Sequence, residues 1–191
     1  EVLEGRIRAT VQITYGGAPE DFAWVLPTPT VASVEDTFPQ LALQGLDVAT
    51  EPRYEGLWCA MPMADGGAEN AGGGEPPPQE EGGVTVHERK VVGPFDTAVI
   101  SSEDPGALVD WLMTNGYRIT EAMKPYVETY VSEGMVFVAM KLTPDSDTSD
   151  IAPIVFSWEG DTPVIPLRLT AVAAEPEMGV TTWVLGGERY R

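Results

Sequence analysis

Apolar and polar residues alternate from Arg6 to Tyr15, with Ile7, Ala9, Val11, Ile13 and Tyr15 on one side and Arg6, Arg8, Thr10, Gln12 and Thr14 on the other. A period of two describes a half-buried strand. Gly16-Gly17 turns the chain, and Phe22–Leu26, stopped by Pro27 and Pro29, reads as the partner strand. Glu35 to Ala49 carries Phe38, Leu41, Ala42 and Leu46 at helical spacing, with Pro39 near its first turn and Pro52 just past its end. These positions predict a helix.

The stretch Asp104–Leu142 is the organising centre. Asp104 is an N-cap and Pro105 occupies the first helical position, where its missing N–H costs nothing. Ala107, Leu108, Trp111 and Leu112 follow on a helical period, and Asn115-Gly116 stops the helix. Thr120 can cap a second segment, Pro125 forces a fresh turn through Ser132, and Gly134 ends it. Met135 to Leu142 is apolar on both alternating sets until Lys141, so this strand is expected in the middle of a sheet. Val136, Val138 and Met140 should face one layer, and Phe137 and Ala139 the other.

Elsewhere Val84–Val92 and Phe95–Ser101 read as strands joined through Gly93-Pro94. Pro144–Asp150 is a polar turn. Ile154–Trp158, Val164–Val172 and Val180–Leu185 read as further strands, separated by Glu159-Gly160-Asp161 and Glu175-Pro176-Glu177. Consecutive strands joined by tight turns pair antiparallel. The expected class is α+β, a mostly antiparallel sheet with two or three helices packed on it.

One segment breaks the pattern. From about 60 to 83, Gly66-Gly67, Gly72-Gly73-Gly74 and Pro76-Pro77-Pro78 stand among acids, with almost nothing apolar after Met63. Such composition buries too little surface to offset the entropy of ordering. It is expected to be a flexible insertion within a single domain spanning residues 1–191.

The net charge of -19, from 30 acidic and 11 basic residues, changes the range of partners. Nucleic acid and anionic membrane surfaces both require a basic footprint, so neither is expected. An acidic balance fits solubility in a salty or extracellular medium, or cation binding. Cys59 is the only cysteine, which excludes an internal disulfide in this sequence. No apolar run reaches the length of a membrane-spanning helix. The chain starts at Glu1 without Met or a leader, as expected of a processed or trimmed product.

Several stretches together resemble a known family. They are Phe22-Ala23-Trp24-Val25-Leu26-Pro27 after a Tyr-Gly-Gly turn, Val92-Gly93-Pro94-Phe95-Asp96-Thr97, the helix end Trp111–Tyr117, Tyr130–Leu142, and Ile165–Ala174. In combination they are similar to the family catalogued as domain of unknown function 2330, over nearly the whole chain outside the insertion. The resemblance implies a protein exported by bacteria, often surface-anchored, with no established activity and no catalytic residues to transfer. Family members often carry several cysteines near the start and in the insertion, where this chain has only Cys59.

The chemistry is sparse. Cys59 and His87 are the only Cys and His. A nucleophilic pair between them is formally possible, but His87 beside Glu88 and Arg89 reads as an exposed strand residue. A structural zinc site needs more such ligands than the chain holds. No phosphate-cradling glycine loop or Gly-x-Ser-x-Gly elbow is present. Asp145, Asp147 and Asp150 place carboxylates at positions one, three and six of a tight turn, a candidate calcium site that lacks the glycine and distal glutamate of the helix-loop-helix motif. The other reading is a solvated turn. Among the tryptophans, Trp24, Trp111 and Trp183 fall on apolar stripes and are expected in the core, whereas Trp58 and Trp158 flank turns and are candidates for a ligand or partner surface. Arg168, alone on an apolar strand, is a candidate ligand clamp or half of a structural ion pair to an acid such as Asp21 or Glu159. Three functions compete. The first is a non-catalytic exported domain for binding, scaffolding or subunit assembly in a protein complex. The second is a hydrolase with an acid and Arg168 pocket, and the third a calcium-stabilised adhesion module.

Overall fold

The computed structural model describes residues 1–3, 5–51, 79–174 and 177–186. It has two antiparallel sheets and three helices and is therefore α+β. The first sheet is built from β1 (Val2–Leu3), β2 (Arg6–Val11), β4 (Ala32–Thr37) and β9 (Ile154–Glu159), in the order β1-β2-β9-β4. The second contains β3 (Ala23–Thr28), β5 (Gln79–Glu81), β6 (Val84–Val92), β7 (Phe95–Ser101) and β8 (Val136–Leu142), in the order β3-β8-β7-β6-β5. Helices α2 (Pro105–Thr114) and α3 (Lys124–Ser132) pack on the outer face of the second sheet, and α1 (Gln40–Thr50) lies apart with no fully buried residue.

Two cores follow from the alternation along β8. Phe137 and Ala139 join Val84, Val86, Ala98 and Ile100 against Leu108, Leu112, Val127 and Tyr130 of the helices. Val136, Val138, Met140 and Leu142 point the other way, onto Ile7, Val34, Ile154, Phe156 and Trp158 of the first sheet. β8 is thus covered on both faces and is an inner strand, between the edge strand β3 and β7, whereas the middle position of the sheet belongs to β7. Burying each of these large side chains contributes roughly 1.5–3 kcal/mol.

Local signals set the boundaries. Asp104 Oδ1 accepts the Gly106 N–H at 2.8 Å at the start of α2, and Gly116 closes the helix at φ +82°. Pro125 lies in the first turn of α3, which starts from Met123 and not from Thr120. Gly82 and Gly83 both have positive φ, as the two-residue hairpin turn between β5 and β6 requires. Gly93, at φ +55°, turns β6 into β7 so close to the other sheet that a Cβ there would lie 2.5 Å from Thr37 Cγ2.

Several expectations are corrected. There are two sheets where one was expected: β2 pairs with β9, and β3 pairs with β8 in the other sheet. Pro27 does not stop β3 but lies within it, because β3 is an edge strand and its outer side needs no N–H. The helix expected from Glu35 begins only at Gln40, since Ala32–Thr37 is a strand. The insertion expected to end at residue 83 gives way to β5 at Gln79, whereas its remainder over 60–78 lies outside the described residues. Val164–Val172 and Val180–Leu185 are not strands among the described residues: the first holds a short 3-10 turn at Thr170–Val172, and the second is irregular.

Candidate functional site

Around the end of α2, four side chains form a column. The Trp111 and Tyr117 rings stack with centroids 6.1 Å apart and planes at 17°. Arg89 lies 5.2 Å from the Trp111 centroid and Lys141 5.2 Å from that of Tyr117, so each ring of the stack also meets a cation. An acid steadies each cation: Glu81 Oε2 accepts from Arg89 at 2.7 Å and from Trp111 Nε1 at 2.9 Å, and Asp96 Oδ2 lies 3.5 Å from Lys141 Nζ. Lys141 also donates to the Asn115 carbonyl at 2.7 Å. Burial raises the Tyr117 hydroxyl pKa well above the tyrosine range, and the Asp96 charge adds to the shift.

Two open recesses flank this column. The larger, about 600 Å³, is lined by Glu81, Asp104, Asp110, Trp111, Thr114 and Asn115, with Gly82, Gly106 and Ala107. The smaller, about 300 Å³, is lined by Asp21, Met113, Gly116, Tyr117, Arg118 and Ile119. Two carboxylates of the larger recess already hold protein groups: Glu81 the Trp111 and Arg89 donors, Asp104 the Gly106 N–H. Across the smaller one, Arg118 pairs with Asp21 at 2.6 Å.

Among the described residues singled out in the sequence, the acidic turn, Trp158 and Arg168 do not form one site. Asp147 and Asp150 brace their own turn: the Thr148 N–H donates to Asp147 Oδ1 at 2.6 Å, and the Asp147 N–H donates to Asp150 Oδ2 at 2.8 Å. The Asp147 side chain also accepts from the Asp150 backbone, which with the Asp147 N–H to Asp150 bond makes the reciprocal arrangement of a capping box. Among the described residues no three His, Cys, Asp or Glu side chains are grouped so as to hold a metal ion. Trp158, expected at the surface because a turn follows it, is instead buried between the sheets, opposite Ile7 and Ala32 on its neighbouring strands. Trp58 and Cys59 lie outside the described residues.

Arg168 stands on an exposed loop, not a strand. Its guanidinium donates to Glu133 Oε1 at 2.5 Å and lies 5.3 Å from the Tyr130 centroid, while its backbone N–H donates to the Tyr130 hydroxyl at 3.2 Å. The hydrogen bond to Glu133 raises its pKa further. It is thus half of an ion pair, with Glu133 as the acid in place of Asp21 or Glu159, and it lines neither recess. His87 is half-buried where β6 bulges, and its Nε2 lies 2.8 Å from Ser101 Oγ, in place of the exposed position expected.

A second surface was not expected. At 100° per residue, Leu41, Gly45 and Val48 share one face of α1, while Leu43 and Leu46 lie on the opposite one. The latter are half-buried; Leu41 is 79% and Val48 51% exposed. At the end of α1, Thr50 Oγ1 accepts the Trp183 Nε1–H at 2.8 Å, so Trp183 is a half-buried edge residue and not core. Next to it Val184 and Leu185 are exposed, and the Leu185 carbonyl accepts the Val2 N–H of β1 at 2.7 Å. The sequence signal for this surface was present. Apolar residues on both faces of α1, with Asp47 its one charge, cannot all turn inward.

Among the described residues no helix is long and apolar enough to cross a membrane. No curated protein and no solved structure gives a match to this chain. The family model described as an uncharacterized protein conserved in bacteria, DUF2330, matches residues 4–191, nearly the whole chain, and the protein belongs to that family.

Proposed function

We propose that this chain is a non-catalytic, extracytoplasmic domain, folded as one unit, that binds another protein in a larger assembly. The observation that carries this reading is the exposed apolar face of α1, with further exposed apolar side chains in the stretch that Trp183 ties to the end of that helix. Leu41, Val48, Val184 and Leu185 are all about half exposed or more, in a chain with 30 acidic residues available for its surface. Large apolar side chains left exposed along one helix face are a feature of surfaces that become covered. The acidic balance supports an extracytoplasmic setting and argues against nucleic acid or anionic membrane as the partner. The hydrolase reading draws less support, because Arg168 is engaged by Glu133 and Tyr130 and lines neither recess.

The test is fractionation of the source bacterium. Tagged wild-type protein should be found outside the cytoplasm and co-purify with one protein in stoichiometric amount. Leu41→Asp combined with Val48→Asp should release that protein while leaving the unfolding midpoint close to wild type, since both side chains are already exposed. A monomer with no associated protein, in wild type and variant alike, would overturn the reading.

A further inference from the structure

We draw no further inference here: the strongest candidate, the uncharged outer face of α1 with Leu41 and Val48, already underlies the function proposed above, and nothing in the structure shows what covers it.

Discussion

The Glu88 carboxylate on β6 accepts the backbone N–H of Val34 on β4 at 3.4 Å, a bond that ties one sheet to the other. Glu88 is 7% exposed and its second oxygen lies 2.5 Å from Lys90 Nζ. β4 is an edge strand, so this carboxylate also occupies a donor that would otherwise be open to another strand. Glu88→Ala leaves the Val34 N–H and the Lys90 ammonium without this acceptor, which should cost about 1–3 kcal/mol in urea unfolding. Replacing both Glu88 and Lys90 with Met should cost less than Glu88→Ala alone, because it removes the half-buried Lys90 charge along with its partner and fills the space with apolar groups, although the Val34 N–H loses its acceptor in both. A double variant as unstable as the single one would place the stabilisation elsewhere.

Phe137 is fully buried on the helix side of β8, and Met140 is fully buried on the side facing the other sheet. Each should report on its own layer. Phe137→Ala should lower stability by about 3–5 kcal/mol and Met140→Ala by about 2–5 kcal/mol, from lost transfer energy plus the cavity left behind. Their effects should be close to additive if the two cores are independent. A small loss at Phe137 would mean that the helix layer does not hold the sheet.

The centre of the fold was legible because its signals are local. The cap at Asp104, the stop at Gly116, the hairpin through Gly93-Pro94 and the two-faced apolar run of β8 each depend on residues within one turn or one strand. Pairing between distant segments was not legible. Ile7 meets Trp158 and Leu26 meets Val138, and nothing in a strand's own alternation names its partner. The same limit explains Trp158: a turn two residues away says nothing about what covers the side chain. In the stretch Val164–Val172, alternation predicts a strand, yet Pro166 has no N–H to give a ladder, and only Leu169 is fully buried, against the helix core. Of the candidate site, the carboxylates at 145, 147 and 150 were visible as a cluster, but not that two of them are occupied with their own turn.

That occupation gives Asp147 a testable role. As the cap of the short 3-10 turn Thr148–Asp150, it should lose about 0.5–2 kcal/mol on change to Ala. Asp147→Asn should retain most of the stability, because asparagine caps as well as aspartate. A calcium ligand would behave differently: chelator would lower the wild-type melting temperature, and Asp147→Asn would abolish that difference. The expected result is a melting temperature indifferent to chelator and to millimolar calcium. A chelator-dependent fall that disappears in the Asn variant would support the calcium-stabilised reading instead.

Tyr117 supplies a pH signature that belongs to the aromatic column alone. Its hydroxyl is kept protonated first by burial and then by the Asp96 charge, so its folded pKa lies above the unfolded value, about 10. A raised pKa contributes stability that is fully present below the unfolded pKa. Above it the unfolded chain releases the proton and the folded chain does not, so stability falls with rising pH by about 1.4 kcal/mol per pH unit. Tyr117→Phe removes the proton from both states and with it this slope. The two proteins should therefore show a constant stability difference below about pH 10, and above it the wild type should lose stability relative to the Phe variant. Ultraviolet titration of the six tyrosines should show one that ionises only as the fold is lost, absent in the Phe variant. Stability curves that stay parallel to high pH would mean that Tyr117 titrates as a solvent-exposed tyrosine does, and that the stack between Arg89 and Lys141 opens in solution.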